Sequence, residues 1–239
     1  MEKNIKEEFI STLSHEIRTP LTSIKGFSQT MLNSWDKIDD DKKKEFIEII
    51  HNQSKRLINL VENVLNVARL EGETNIIQTK VEINSLIKNC INILSISYKD
   101  FEFNNQSTQK ELFCLCDSDK IQQIVLNILD NAVKYSINSK KVEINTKNQS
   151  DYNVISIKNF GNYIEEKDFE KIFEKFYRIS SYLNSTTQGS GLGLYIAKSL
   201  IEKMQGKIEI KSDKNEKTVE FLIYIPIYEI EKITKTTGV

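Results

Sequence analysis

The sequence predicts two folded parts, a pair of long amphipathic helices and an α+β sandwich with an open mixed sheet. Apolar residues recur every three or four positions as far as Gly72, and shorter segments with strand-like and helix-like patterns follow it. The 239 residues are enough for two small domains with a sizeable core. We therefore predict a first domain at residues 1–72, a second at residues 73–230 and a disordered tail at residues 231–239.

The first predicted helix covers residues 5–34 and carries a single apolar stripe. The stripe consists of Phe9, Leu13, Ile17, Leu21, Ile24, Phe27 and Met31. At about 100° per residue, His15 lies on the opposite face, so its imidazole and the side chain of Thr19 one turn later point to solvent. Pro20 removes one helical hydrogen bond and crowds the carbonyl group of Glu16, so we expect a kink or a loosened turn beyond the histidine.

The second predicted helix follows a turn in which Asp39, Asp40 and Asp41 are candidate N-caps, and it ends at Gly72. Its apolar residues recur in alternating steps of four and three, as in a heptad repeat with one polar interruption. This seam consists of Phe46, Ile50, Gln53, Leu57, Leu60, Val64 and Val67. A lone hairpin cannot bury both stripes, so we predict a homodimer in which two hairpins form a four-helix bundle. His51 beside the seam is expected to have no chemical role.

The second domain is predicted from shorter segments. Strands are expected at residues 76–83, 99–103, 111–116, 141–146, 152–159, 207–211 and 218–225, and helices at residues 84–94, 118–135 and 192–204. This order is typical of an open mixed sheet with helices on one face. Cys90, Cys114 and Cys116 lack the spacing of a zinc site, and we interpret them as core residues in a reducing cytoplasm.

The composition excludes several partners. Because 33 Lys and Arg balance 34 Asp and Glu, we expect neither nucleic acid nor an anionic membrane as a direct partner. No apolar run approaches the roughly 18 to 20 residues that cross a bilayer, and residues 1–6 are too polar for a signal peptide. We therefore expect a soluble chain, attached to a membrane only through a segment upstream of this sequence.

One predicted helix of the second domain carries a polar stripe. Asn127, Asn131, Lys134 and Tyr135 are spaced at i, i+4, i+7 and i+8, while apolar residues occupy another face. An amide oxygen suits magnesium, a hard cation that prefers oxygen ligands, and an ammonium group suits phosphate. Taken alone, the stripe is equally compatible with a capped surface helix.

A glycine-rich loop precedes the last predicted helix. Gly189, Gly191 and Gly193 place backbone N–H groups and the positive helix end towards any anion in the loop. A dinucleotide-binding βαβ unit is disfavoured, because only a strand at Lys207 and an edge strand follow the helix. Together with the polar stripe, the loop indicates a phosphate-bearing ligand rather than a surface helix.

Four stretches, in the expected order, resemble the motifs of sensor histidine kinases. Residues 14–21 resemble the phospho-acceptor box, residues 119–136 the N box, residues 173–178 the F box and residues 189–194 the second glycine box. The resemblance covers nearly the whole chain. It implies a dimerisation and histidine-phosphotransfer domain, then an ATP-binding domain of the fold shared with gyrase-type and heat-shock-type ATPases. It also implies a flexible lid at residues 179–188.

The resemblance implies roles for individual residues. His15 would accept a phosphoryl group from ATP, Glu16 would accept or orient the ring proton, and Thr19 would orient a water molecule for a phosphatase reaction. The phosphoryl group would pass to an aspartate of a response-regulator receiver domain. The chain would then be the cytoplasmic part of a membrane-anchored sensor, or a natural soluble kinase. The implied ligands of ATP and Mg²⁺ are Asn127, Asn131, Lys134, Tyr135, Asn159, Gly161, Arg178, Gly189, Gly191 and Gly193, with Asn131 as the magnesium ligand.

Three positions depart from the family pattern, two in the first glycine box and one near the last strand. Where the first glycine box reads Asp-x-Gly-x-Gly, this chain has Asn159, Gly161 and Tyr163, and Val219 stands where Thr or Ser is common. A neutral acceptor at the base gives up roughly 1 to 2 kcal/mol relative to a carboxylate, so we predict weak ATP binding. The alternatives are a pseudokinase, scaffold or phosphatase-only dimer, and a gyrase-like or chaperone-like ATPase without a phosphohistidine.

Overall fold

The structure, a computed structural model, describes residues 2–72, 75–107, 111–179 and 189–227, with side chains from Phe9 onward. It divides into two compact units, Met1–Glu71 and Gly72–Val239. The lid predicted up to residue 188 lies outside the described residues from residue 180 onward, as does the predicted tail. Within the described ranges, no helix combines the length and the apolar character needed to span a membrane.

The first unit is a helical hairpin. Helix α1 spans Glu2–Ser34, a short 3-10 turn spans Trp35–Lys37, and helix α2 spans Asp40–Glu71. Of the three candidate caps, Asp39 begins α2, because its carboxylate accepts a hydrogen bond from the backbone N–H of Lys42 at 2.8 Å. Both predicted helices are therefore confirmed.

Helix α1 continues through the proline that was expected to disturb it. Pro20 is buried, and the residues on both sides of it remain helical. The hydroxyl of Thr19 donates to the carbonyl oxygen of His15 at 3.2 Å, which adds a side-chain bond within this turn. The expected loosening thus does not end the helix.

The hairpin buries one apolar seam and leaves other large apolar side chains exposed. The predicted α2 seam is buried or half-buried, with Leu60 and Val67 most enclosed. Leu21 of the predicted α1 stripe is 53% exposed in the single chain, because one partner helix cannot cover the full width of the stripe. The exposed apolar residues of the hairpin are Ile10, Leu21, Leu32, Trp35, Ile47, Ile58, Val61 and Leu65.

The second unit contains seven strands and three α-helices in the described residues. The strands are β1 Thr79–Glu82, β2 Glu102–Asn105, β3 Phe113–Cys116, β4 Lys141–Gln149, β5 Tyr152–Phe160, β6 Lys207–Asp213 and β7 Thr218–Pro226. The helices are α3 Ile83–Ser97, α4 Ser118–Lys134 and α5 Gly193–Lys203. Two 3-10 turns, Glu166–Asp168 and Lys171–Phe173, connect β5 towards the glycine loop.

Five strands form the mixed sheet that the sequence predicts, in the order β2-β4-β5-β7-β6. Strand β2 is parallel to β4, and the remaining neighbours are antiparallel. Strands β1 and β3 pair separately as a ribbon, and β1 is shorter than the predicted strand at residues 76–83. It starts later because the backbone N–H of Ile77 donates to the carboxylate of Asp117 at 3.0 Å. It ends at Glu82, whose carboxylate caps α3 by accepting from the backbone N–H groups of Asn84 and Ser85 at 3.1 and 2.7 Å.

One face of the sheet forms the core. Alternate residues of its central strands are buried, while α4 packs against β4 and β5 and α5 packs against β6. Asn159, near the end of β5, belongs to this face and stands directly opposite Val142 and Val219. The register therefore places the polar Asn159 between two valines.

The three cysteines are free and buried, as the predicted core role requires. The Sγ atoms of Cys114 and Cys116 lie 2.9 Å apart on one side of β3. This hydrogen bond and burial both raise the pKa of Cys114, which keeps the thiol protonated.

Candidate active site

The phospho-acceptor candidate lies on the exposed side of α1. The side chain of His15 is exposed, as helical spacing predicts, and so is that of Thr19 one turn later. The proton of the Thr19 hydroxyl is bound by the carbonyl of His15, so the oxygen keeps lone pairs for a water molecule. An exposed imidazole has the access that a phosphoryl acceptor needs.

Glu16, next to the histidine, is held from the other helix of the hairpin. Its Oε2 lies 3.0 Å from Nη2 of Arg56 on α2, and both side chains are half-buried. Solvent screens such a pair less than a pair on the open surface. The structure thus places this carboxylate on Arg56, whereas the sequence predicted that it orients the imidazole ring. Sequence reasoning missed Arg56, because the two residues are 40 positions apart.

In the second unit, the polar stripe of α4 contains a buried donor without a partner. The Nδ2 atom of Asn127 is buried and has no hydrogen-bond partner in the described structure, and Asn131 one turn later is half-buried. A buried donor left unpaired reduces the free energy of unfolding by roughly 1 to 3 kcal/mol. A ligand with acceptor oxygens would recover this loss.

The lysine of the stripe has a partner that the sequence analysis did not identify. Nζ of Lys134 lies 2.5 Å from Oδ2 of Asp130, and Oδ1 of Asp130 accepts the hydroxyl of Tyr98 at 2.7 Å. Burial and the nearby Asp130 charge raise the pKa of Tyr98 and keep its hydroxyl a donor. The i,i+4 spacing of Asp130 and Lys134 was a signal for this pair, whereas no local pattern indicated Tyr98.

The glycine loop begins α5 beside this stripe. A Cβ atom on Gly193 would lie 3.8 Å from Oδ1 of Asn127, so the first turn of α5 adjoins the polar face of α4. The N-cap residue Leu192 makes no side-chain capping bond. The first N–H groups of α5 are therefore available to an anion.

A second glycine of the loop contacts the predicted F box. Gly191 has φ +69°, and a Cβ atom there would lie 2.8 Å from the backbone of Phe176. The carbonyl of Gly191 accepts the N–H of Phe176 at 3.0 Å. Arg178, two residues further, is half-buried, and Gly189 has open space around its Cα. The structure thus joins the glycine box and the F box.

The first glycine box meets the end of α4. A Cβ atom on Gly161 would lie 1.9 Å from the carbonyl oxygen of Tyr135, so only glycine fits this approach. Asn159, the first residue of this box, is 2% exposed, and its Nδ2 has no partner in the described residues. Tyr163, the last residue of the box, lies against a different group: Nζ of Lys214 is 5.4 Å from the centroid of its ring. The second unit therefore joins both glycine boxes to the polar helix.

The donor set suits a nucleotide and a hard cation. Among the described residues, no three His, Cys, Asp or Glu side chains are grouped as a metal site. The stripe of α4 offers the amide oxygens of Asn127 and Asn131, while the carboxylate of Asp130 is paired with Lys134. The unpartnered Nδ2 atoms of Asn127 and Asn159 fit acceptor atoms of a phosphate-bearing ligand and a base. The residues present thus fit ATP with magnesium.

Two family models match the chain. The His Kinase A (phospho-acceptor) domain matches residues 5–73, and the histidine kinase-, DNA gyrase B- and HSP90-like ATPase matches residues 116–229. Fold and site define a phospho-acceptor hairpin followed by an ATPase-type domain. The chain belongs to the sensor histidine kinases of two-component systems.

Curated relatives agree with this assignment. Sensor protein kinase WalK of Staphylococcus aureus is 33% identical over 230 residues, which cover 95% of this chain and 55% of that protein. Signal transduction histidine-protein kinase ArlS of Staphylococcus aureus is 33% identical over 224 residues, which cover 92% of this chain and 49% of that protein. The chain thus spans about half the length of the curated relatives it matches.

Solved structures share the fold. Histidine kinase ThkA, crystallised in complex with response regulator protein TrrA, has a TM-score of 0.74 and 24% identity, covering 95% of this chain and 63% of that one. Histidine kinase AdeS of Acinetobacter baumannii has a TM-score of 0.70 and 21% identity, covering 90% of this chain and 98% of that one.

Proposed function

We propose that this chain is a kinase core that transfers the γ-phosphoryl group of ATP to His15 and then to an aspartate of a response regulator. One observation carries the proposal. The buried, unpartnered amide of Asn127 adjoins Gly193 at a helix start without a side-chain cap, which is a place for phosphate oxygens. The matched phospho-acceptor domain supplies the exposed histidine.

The proposed transfer requires little of the protein beyond positioning and charge balance. A lone pair on one ring nitrogen of His15 attacks the γ-phosphorus, the bond from that phosphorus to the bridging oxygen breaks, and ADP leaves. The proton on the other ring nitrogen passes to Glu16 or to water. Arg56 holds the carboxylate of Glu16, the residue that follows His15, so we regard Arg56 as a positioning residue.

Each ligand of the nucleotide has a separate role in this proposal. Magnesium, when bound to the Asn131 amide oxygen, would neutralise phosphate charge. The Asn127 amide and the first N–H groups of α5 donate to phosphate oxygens. Lys134 leaves its ion pair with Asp130 and binds a phosphate oxygen instead. Asn159 binds the base. The close contact of Gly161 with the carbonyl of Tyr135 connects the part of the site that binds the base to helix α4. Arg178 and Gly191 lie in the part of the site that binds the phosphates.

We further propose a homodimer and a response-regulator partner. The exposed apolar residues of the hairpin are numerous enough to need a second copy of the chain. ThkA was crystallised with a response regulator, which supports the same kind of partner here. Thr19 would orient a water molecule for dephosphorylation of that partner. We also propose that the reaction takes place in the cytoplasm, where ATP is available, and that this chain is the cytoplasmic part of a membrane-anchored sensor.

A pseudokinase or phosphatase-only scaffold is the second candidate, favoured by the neutral Asn159 and by Val219 beside it. Labelling with γ-labelled ATP separates the two. We expect acid-labile, alkali-stable label in the wild type, none in His15→Gln and at least a tenfold loss in Asn131→Ala.

The matched control is His51→Gln, which removes the other histidine, also exposed in the hairpin, and should keep full label. A folded, dimeric wild type without label would overturn the kinase proposal in favour of the scaffold. Equal label in wild type and His15→Gln would place the phosphoryl group on another residue.

A further inference from the structure

We propose that the base end of the nucleotide site accepts purines with either an amino or an oxo group at position 6, so that GTP serves as phosphoryl donor beside ATP. The inference rests on the proposed function and extends it to the substrate class. It starts from Asn159, a buried amide whose Nδ2 has no hydrogen-bond partner in the described structure.

The neighbours of Asn159 in the sheet do not fix the orientation of its amide. Directly opposite residues of paired strands share a face, and those beside Asn159 are the apolar Val142 and Val219. The next residue in the same row is Ser212, opposite Val219. Its hydroxyl accepts the backbone N–H of Ile164 at 2.8 Å and donates to the carbonyl of Thr218 at 3.2 Å. The nearest hydroxyl in that row is therefore already engaged.

An amide and a carboxylate select different bases. A carboxylate only accepts hydrogen bonds, so it suits the 6-amino group of adenine and repels the 6-oxo group of guanine or hypoxanthine. An amide has both a donor and an acceptor, and rotating it by 180° exchanges them. In one orientation Oδ1 accepts from the amino group of adenine and Nδ2 donates to N1. In the other, Nδ2 donates to the oxo group and Oδ1 accepts from N1–H.

The position of Asn159 suits the base rather than the phosphates. Val142 and Val219 stand on either side of Asn159, and such apolar side chains favour contact with a planar purine ring. The N–H groups at the start of α5 favour phosphate instead. The γ-phosphoryl end of GTP is identical to that of ATP. With GTP, the N–P bond to His15 therefore forms as the bond to the β,γ-bridging oxygen breaks, and GDP leaves instead of ADP.

The decisive measurement compares ATP, GTP and ITP on the wild-type chain, as competitors for a fluorescent nucleotide and as γ-labelled donors. ITP shares the oxo group of GTP but lacks its 2-amino group, so it isolates position 6. We expect the three affinities to agree within about tenfold, because each base keeps two hydrogen bonds to the amide. ATP that binds more than tenfold tighter than both oxopurines would overturn the inference and leave the proposed kinase function intact. Binding of none of the three would overturn both.

The variant Asn159→Asp tests the cause. We expect it to lower the affinity for GTP and ITP relative to ATP by about 10-fold to 100-fold, since a carboxylate cannot donate to the oxo group. Asn145→Asp is the matched control, because Asn145 is exposed between buried residues of β4 and thus lies on the other side of the sheet. An unchanged GTP-to-ATP ratio in folded Asn159→Asp would contradict the inference. If this variant does not fold, the wild-type comparison decides alone.

Discussion

The hairpin and the α/β unit hold their functional groups in opposite settings. In the hairpin, His15 is exposed, and many large apolar side chains are exposed with it. In the α/β unit, the Nδ2 atoms of Asn127 and Asn159 are buried and have no hydrogen-bond partner in the described structure. The difference indicates that the hairpin depends on access and on a second copy, whereas the α/β unit depends on an internal fit that tolerates little added volume.

The same small substitution should have opposite effects in the two units. Gly161→Ala would place a Cβ atom 1.9 Å from the carbonyl oxygen of Tyr135, so we expect it to lower the free energy of unfolding by about 3 kcal/mol and to abolish nucleotide binding. Gly26→Ala is the matched control, since nothing lies within 4 Å of its added methyl group. It should stabilise α1 by up to about 1 kcal/mol. Urea unfolding of both variants, followed by circular dichroism, measures the difference. Equal stability of the two would contradict the close approach at the base end.

A charge in the exposed apolar residues of the hairpin should affect assembly rather than folding. Leu65 is 50% exposed in α2, and Leu65→Glu should weaken the homodimer about 10-fold to 100-fold, because a charge would be buried at the interface. Ile96→Glu is the control in the α/β unit, where the side chain is 75% exposed in α3, and it should leave the dimer unchanged. Sedimentation velocity over a concentration series distinguishes them. A dimer that resists Leu65→Glu would exclude this side of α2 from the interface.

The smallest expected effect concerns the cap that ends β1. Burial raises the pKa of Glu82, but hydrogen bonds from Ser85, Leu112 and Asn84 outweigh it, and the net pKa is below the usual 4.5. The stabilisation is thus present above about pH 4.5 and is lost as the pH falls through the folded-state pKa. We expect Glu82→Gln to lower the free energy of unfolding by about 1 kcal/mol at pH 7 and by less in acid.

Urea titrations of the full chain at pH 7 and in acid check this sign. Glu48→Gln, at an exposed position of α2 in the hairpin, is the matched control and should have no effect at either pH. A destabilisation by Glu82→Gln that persists undiminished in acid would show that the charge of the cap is not responsible.

Local patterns predicted most elements, because helical and strand periodicity depends on residues one or two turns apart. The helix over Ser118–Lys134 and the paired strands β4 and β5 lie within a few residues of their predicted limits. The exposed face of His15 followed from helical geometry alone. The strand before α3 was overestimated mainly at its start, because the backbone N–H of Ile77 donates to the carboxylate of Asp117, 40 positions away.

The sequence by itself determined the order of elements, the exposed histidine and the polar stripe of α4. Only the tertiary structure decided which groups meet: Arg56 with Glu16, Tyr98 with Asp130, and Asn159 with two valines. The physical reason is that these pairs join residues 17 to 60 positions apart, where no helical or strand period relates them, and their contacts depend on how whole elements pack.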